Sequence, residues 1–428
     1  MPLKLLAVGD IHLGRYPSRL PEALSGERRA LAPAAAWKRV VDHAVADAVD
    51  VVALAGDVVE REDDFFEAYR ELHRGVQRLT EAGIRVLGVA GNHDVKVLPR
   101  LADQLPDFHL LGRGGEWEST TLEAGGESLT LHGWSFPSAV VRRSPLEGVH
   151  LERCPGLNIG LLHCDRDQHG SPHAPVRSSE LDGAGLDGWL LGHIHAPDAL
   201  SSDRLSGYLG CVSGMDPGEP GDHGPWLISV ESGRLQSVEQ RVLAPMRWQA
   251  VTLDLSELEE AEQARSLLLE YLRGLDEELS GRTMAPAAVG VRLSLAGRTG
   301  FGPAVQRLFE REKQEGSIVH DGVASGAAYF IEHCQRDTRP TVSLDSLAGQ
   351  SDPPGLLAQR LRWLERPDSE PARRLIRDAR QRLRQQAADA RWRGLDVTEP
   401  DDEEVIDHLR RTGTRLLDEM LSRQGGEP

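Results

Sequence analysis

Residues 85–94 read RVLGVAGNHD, an apolar run of strand length followed by a glycine and then by an amide, an imidazole and a carboxylate in succession. Four other stretches repeat the design. LLAVGDIH (5–12) ends in Asp10 and His12, VVALAGD (51–57) in Asp57, NIGLLH (158–163) in His163, and WLLGHIH (189–195) in His193 and His195. Short apolar runs of this kind, alternating with stretches such as Trp37, Val40, Val41, Ala44 and Ala48 at helical spacing, read as the buried strands of an α/β domain. In such sheets ligands gather outside the carboxyl ends of the strands. The five clusters are therefore expected on one rim, with Gly9, Gly56, Gly91 and Gly192 letting the backbone turn sharply out of each strand.

Each cluster alone has a plain structural explanation. Asp-x-His is commonly a turn, and His163 at the end of an apolar run is commonly a satisfied core histidine. Gly-Asn-His-Asp is sharper, and Gly-His-x-His sharper still, because alternate residues of an extended segment present two imidazoles together. Jointly, the carboxylate, carboxamide and imidazole donors suit two divalent ions held ~3.5–4 Å apart, with Asp57 as the natural bridge. Such a pair supports in-line attack of an activated water on phosphorus, both ions neutralising the transition-state oxygens.

Composition bounds this reading. The chain has 428 residues, enough for two to four domains at about 100–200 residues each. Against 49 basic residues stand 67 acidic ones, a net charge of −18, which excludes a generic electrostatic grip on nucleic acid. A phosphodiester would have to be held by local positive charge. Cys154, Cys164, Cys211 and Cys334 are widely spaced and read as reduced thiols. No apolar run approaches the ~18–20 residues of a membrane span, and MPLKLLAVGD breaks too early for a signal-peptide core, so a cytoplasmic protein without membrane association is expected.

Three regions are expected. Residues 1–245 form the larger α/β domain, closed by a Gly/Pro-rich loop around Pro217, Pro220 and Pro225 and bounded at Pro245. Residues 246–350 read strand, helix, strand, helix, strand, a small α/β layer domain, with the first helix from about Ser256. Residues 351–428 are charge-segregated and mostly helical: 360–393 hold 11 Arg and 5 acids, 396–427 hold 4 Arg and 10 acids. The tail reads as docking on a partner.

D-x-H, G-D, G-N-H-D, H and G-H-x-H in this order, over roughly residues 3 to 230, resemble the calcineurin-like metallophosphoesterases. Within them GDIHLGR, AGDVVEREDDFFEAY and GVAGNHDVKVLPRLADQLPDFHLLGRGGEWE resemble SbcD-type DNA repair exonucleases, particularly the YhaO-like bacterial branch. The resemblance implies a four-layer β-sandwich flanked by helices, an α/β cap domain and a helical C-terminal tail. It implies two divalent ions, Mn²⁺ by preference, one held by Asp10, His12, Asp57 and His195 and the other by Asp57, Asn92, His163 and His193. It makes His93 the catalytic imidazole, oriented by Asp94. It also implies DNA as substrate, an exonuclease with endonuclease side activity, and an SMC-like coiled-coil ATPase of SbcC type as partner; homodimerisation stays open. One position departs from many such nucleases, which carry a His three residues after the Gly-Asp aspartate; here it is Glu60.

The rival functions are a small-molecule or cyclic-nucleotide phosphodiesterase or phosphatase with the same metal site, and a binding module on a degenerate fold. The nearly 200 residues beyond Pro245 argue against the first, and the retained ligand set against the second. His43, His73, His109, His132, His320 and His408 read as surface or packing histidines. His169 and His173, in the polar loop DRDQHGSPHAP, read first as a solvated loop with a place facing the site left open, and Arg177 shares that ambiguity.

Overall fold

The computed structural model describes residues 2–339, 344–387 and 401–424. The chain begins β1 (Leu3–Val8), α1 (Pro33–Ala46), β2 (Val51–Leu54), α2 (Phe65–Glu81), β3 (Arg85–Gly88), α3 (Leu98–Ala102), β4 (Phe108–Leu110), β5 (Trp117–Ala124) and β6 (Glu127–Trp134). It continues β7 (Leu157–His163), α4 (Ser178–Gly183), β8 (Gly188–Gly192), β9 (Ser206–Tyr208), β10 (Trp226–Glu231), β11 (Arg234–Gln240), β12 (Met246–Asp254), α5 (Gln263–Ser280), β13 (Ala288–Ala296) and α6 (Gly302–Gln314). It ends with β14 (His320–Asp321), β15 (Ala328–Arg336), α7 (Leu344–Ala348), α8 (Pro353–Glu365), α9 (Glu370–Ala387) and α10 (Asp402–Gln424).

Two mixed sheets form the larger part, in the orders β11-β10-β1-β2-β3-β4 and β5-β6-β7-β8-β9. The period-2 alternation of strands sorts their residues into layers. Leu6 and Val8 face α1 and α2 and share a core with Trp37, Val40, Leu72 and Val76. Leu3, Leu5 and Ala7 face the other way, into a layer between the sheets with Leu129, Leu131, Ile159, Leu161 and Leu190. Beyond the second sheet Leu162, Trp189 and Leu191 pack with Val176 and Leu181 of the loop and α4. Helices, sheet, sheet and outer loops are the expected four layers. β1, β2, β3, β7 and β8 run mutually parallel within their sheets, so in each sheet the polar clusters that follow them lie at one end.

The apolar runs locate the central strands, but β4, β5, β9 and β11 carry no such signal. All four are sheet edges. An edge strand is short or half-exposed and lacks the continuous apolar stretch of a buried one. The first helix after β12 begins at Gln263 rather than near Ser256, because Ser256 donates from both its amide (2.9 Å) and its hydroxyl (2.6 Å) to Asp254 Oδ1 in a local turn.

By compactness the chain divides into two units: residues 1–253, 260–295 and 304–336, and residues 254–259, 296–303 and 337–428. A third sheet, ordered β12-β13-β15-β14, has most of its length in the first unit. There Trp248 of β12 is fully buried against Leu24, Leu31 and Phe330, and its indole donates to Gly214 O at 3.1 Å. In the second unit α8, α9 and α10 share a core of Ala358, Leu361, Leu364, Ile376, Val405 and Leu417. Residues 388–400, which carry the end of the Arg-rich run, and 425–428 lie outside the described residues. Among the described residues no helix is long and apolar enough to cross a membrane.

The sheet-to-sheet layer should dominate stability. Leu161→Ala, at a side chain with no exposure, is expected to cost about 2–5 kcal/mol. Phe66→Ala, at a residue 83% exposed, should cost little. Urea unfolding midpoints compare them; a wild-type midpoint for Leu161→Ala would contradict the layer assignment.

Candidate metal centre

Three residues of the expected set sit in left-handed backbone conformations: His12 (φ 55°), Asp57 (φ 45°) and His193 (φ 103°). Non-glycine residues persist there only when their surroundings over-determine them. The amides of Ile11 and His12 both donate to Asp57 O, at 3.1 and 2.9 Å, and Leu13 N donates to Val58 O at 2.8 Å, zipping the turn after β1 to the turn after β2. His193 N donates to Asp10 Oδ1 at 3.0 Å, and His93 N to Asp57 Oδ1 at 3.0 Å. Of the strand-end glycines, Gly56 has the left-handed φ (94°) expected of a sharp exit, whereas Gly91 has an ordinary φ and serves close approach. A Cβ on Gly91 would stand 2.2 Å from Asp57 Oδ1.

These turns deliver two donor groups. Ligand atoms of Asp10, His12 and His195 lie within 4.8 Å of one another, and those of Asp57, His163 and His193 do likewise. In the first group the Nε2 atoms of His12 and His195 are 3.1 Å apart. In the second, His163 Nε2 lies 3.2 Å from Asp57 Oδ2 and 3.1 Å from Asn92 Oδ1. Seven of the nine expected site residues thus meet as oxygen and nitrogen donors. His93, more exposed, stands beside them with its ring 5.2 Å from that of His12.

The donors fit divalent cations. The far nitrogens of two imidazoles are taken by carboxylates: His12 Nδ1 lies 2.8 Å from Glu60 Oε2, and His195 Nδ1 lies 2.6 Å from Glu219 Oε1. Protons on those Nδ1 atoms leave two lone pairs facing each other across 3.1 Å at Nε2, an arrangement a shared cation satisfies. His193 is held from the opposite nitrogen, Nε2, 3.2 Å from Asp165 Oδ1, which leaves its Nδ1 for the second group. The set is hard oxygen and borderline nitrogen, of the kind that suits first-row divalent ions.

Burial alone would neutralise these groups; local partners override it at Asp57, His163, Glu60 and Glu219, while burial prevails at His193 and Asp94. Burial pushes Asp57 up, but His163 outweighs it and holds the carboxyl well below the ordinary range. Burial pulls His163 down, but the charge and hydrogen bond of Asp57 raise it to about 9. His193 falls to about 4 through burial and the neighbouring His163. Glu219, opposed by burial, is lowered to about 2 by its bond to His195. The hydrogen bond with His12 lowers Glu60. Asp94 is raised to about 7 by burial and by the charge of Asp57.

The expected role of Asp94 is corrected. Its side chain is fully buried and its oxygens are occupied by backbone amides, Gly91 N at 2.8 Å on one and Val58 N at 2.7 Å on the other. It staples the turn after β2 to the turn after β3. His93 Nδ1 lies instead 3.1 Å from the carbonyl oxygen of Glu60. His173, read first as part of a solvated loop, has its ring 5.0 Å from His193 and belongs with Asp165 to one donor cluster. Glu219 escaped the sequence reading because it follows no apolar run and comes from a loop that only the fold brings to the rim; Asp165, two residues past the end of β7, was passed over beside His163. His132 is buried and bonded to Asn158 and Ser119, a packing histidine as expected.

Residues 3–197 match the calcineurin-like phosphoesterase family. The chain is 26% identical over 262 residues to the uncharacterized metallophosphoesterase YhaO of Bacillus subtilis, covering 60% of this chain and 64% of that protein. It is 23% identical over 212 residues to the DNA double-strand break repair protein Mre11 of Methanopyrus kandleri, covering 46% of this chain and 45% of that one. The chain therefore spans less than two thirds of these relatives. Among solved structures, the calcineurin-like phosphoesterase YfkN of Bacillus subtilis is similar at 12% identity and a TM-score of 0.36, covering 64% of this chain and 99% of that one.

Glu60 holds His12 with its side chain and His93 with its carbonyl. Glu60→Ala should free the His12 ring and weaken divalent-ion binding at the first donor group by about 10–100-fold, with the second group little changed. Calorimetric titration with Mn²⁺ measures both; unchanged affinity at both would show that Glu60 does not position His12.

Proposed function

We propose that this protein is a two-metal phosphodiesterase acting on DNA, an exonuclease with endonuclease side activity, with Mn²⁺ as its preferred ion. The observation that carries the reading is Asp57. One of its oxygens meets His163 of the second sheet, the other accepts the amide of His93, and its charge acts on His12 of the first donor group as well. In this reading Asp10, His12, Asp57 and His195 hold one ion, and Asp57, Asn92, His163 and His193 the other. When bound, the two ions supply Lewis-acid charge that neutralises phosphate oxygens and a water acidic enough to attack near neutral pH.

The rest falls to the chain's own side chains. The Nδ1–H of His93 donates to Glu60 O, which leaves Nε2 directed to the substrate side, where it can carry a proton to the leaving oxygen. The donation steadies the ring beside the donor groups. The similarity to Mre11 proteins, described as DNA double-strand break repair proteins, supports DNA over a small ester. An SMC-like coiled-coil ATPase as partner and a cytoplasmic location complete the reading.

Purified protein with Mn²⁺ should degrade linear duplex or single-stranded DNA. Hydrolysis confined to small phosphate esters would replace this reading with that of a phosphatase or small-molecule phosphodiesterase. Asp57→Asn should lose both ions and all hydrolysis, since a neutral amide cannot balance two dications; two equivalents of Mn²⁺ at wild-type affinity would refute the bridge. His93→Leu should keep both ions while single-turnover cleavage drops by roughly 10²–10⁴-fold. Removing residues from Gly355 onward should abolish co-purification with the ATPase and spare hydrolysis of a chromogenic phosphodiester; retained co-purification would disprove docking by the tail.

A further inference from the structure

The second compact unit contains a strongly basic concave surface. A cavity of about 520 Å³ is lined by Arg298, Arg339, Arg410, Arg411 and Arg415, with Asp337 as its one acid. Its floor is main chain: Thr299 N donates to Arg339 O and Arg339 N to Gly297 O, both at 2.9 Å, pairing the segments that follow β13 and β15. Its wall is one face of α10, where positions 410, 411, 414 and 415 fall together at helical spacing. Arg339, Arg410, Arg411 and Arg415 are exposed.

Five guanidinium groups gather in one hollow, and the ion pairs of two of them are weak. Arg411 pairs with Asp407 at 3.2 Å and Arg415 with Glu419 at 3.6 Å, both exposed contacts one helical turn away. Such pairs are worth about 0.3–0.5 kcal/mol and are readily exchanged for a stronger acceptor. Arg410 is committed differently, donating to Leu364 O at 2.6 Å, the carbonyl of the last turn of α8. It fixes the helix that presents Arg411 and Arg415.

We infer that this hollow binds the sugar-phosphate backbone of a polynucleotide and anchors DNA to the second unit. Several features select a polyanion over a lone phosphate. The hollow is larger than one phosphate needs, and its charges are spread over two chain segments and a helix. Arg411 and Arg415 are separated by about 6 Å along the helix axis, close to two nucleotide steps of one strand at about 3.4 Å each. Planar guanidinium forks match phosphate oxygens in pairs. With a net charge of −18, the protein cannot hold DNA by its overall field, so backbone affinity has to come from local basic surface of this kind. The inference rests on the reading of DNA as substrate and adds a place where DNA is held by residues outside the metal centre.

The test uses the full chain and a fluorescein-labelled 30-base-pair duplex in EDTA, with binding followed by anisotropy from 50 to 300 mM NaCl. Arg411→Gln with Arg415→Gln should weaken binding roughly tenfold at 150 mM NaCl and lower the slope of log affinity against log salt by about 2. Arg411→Lys with Arg415→Lys should restore most of the slope. Hydrolysis of bis(p-nitrophenyl) phosphate and the thermal midpoint should stay at wild-type values in both, which separates lost contact from misfolding. Wild-type affinity and slope in the glutamine variant, while wild-type protein cleaves DNA, would overturn the anchor and leave the nuclease reading standing. Wild-type protein that neither binds nor cleaves DNA but hydrolyses the small ester would overturn both. Loss in the glutamine variant of polyglutamate binding, with DNA binding intact, would reassign the hollow to an acidic peptide.

Discussion

A buried contact between two sheets organises this protein: Asp57, one turn beyond β2, meets His163, the last residue of β7, at 3.2 Å with both side chains almost wholly excluded from water. A carboxylate and an imidazole taken that far from solvent are costly unless each answers the other and the remaining lone pairs are satisfied. Asp57 therefore also takes the His93 amide, and His163 Nδ1 lies 3.1 Å from Ala55 O. The left-handed backbone at Asp57 and its neighbours is the geometric cost of aiming these groups inward, and the turn-to-turn amide bonds maintain it.

Around that contact lies a ring of carboxylates whose work is orientation. Glu60, Glu219 and Asp165 each grip the ring nitrogen of a histidine that faces away from the donor cluster, and Glu219 is itself tied by the amides of Met215 and Asp216 at 2.7 and 3.2 Å. The loop bearing Glu219 leans on Trp248 through Gly214. A strand that follows the expected boundary at Pro245 thus supports a residue that orients His195. Metal geometry and the third sheet are mechanically joined, although in sequence they look like separate modules.

Local charge is how so acidic a chain would hold a phosphodiester under the proposed function. At the rim, cations held by Asp10, Asp57 and the imidazoles would supply positive charge over a few ångströms, within the Debye length of ~8–10 Å. The arginines of the second unit supply a separate basic surface. The chain as a whole carries a net charge of −18, which disfavours indiscriminate contact with nucleic acid.

The central strands and the donor residues that follow them were legible because a buried strand needs an unbroken apolar run and a metal needs particular side-chain chemistry; both are local properties. The apolar runs within 5–12 and 51–57 fall on β1 and β2, and Asp10, His12, Asp57, Asn92, His163, His193 and His195 stood out at strand ends. Edge strands left no such mark. Tertiary structure alone decided that Asp94 staples two turns instead of turning His93, that Glu60 serves His12 and His93 at once, and that His173, Asp165 and Glu219 reach the rim. Those outcomes depend on which loop folds back over which strand, and on which polar atom finds a partner once water is excluded, and neither is encoded in residue type or spacing along the chain.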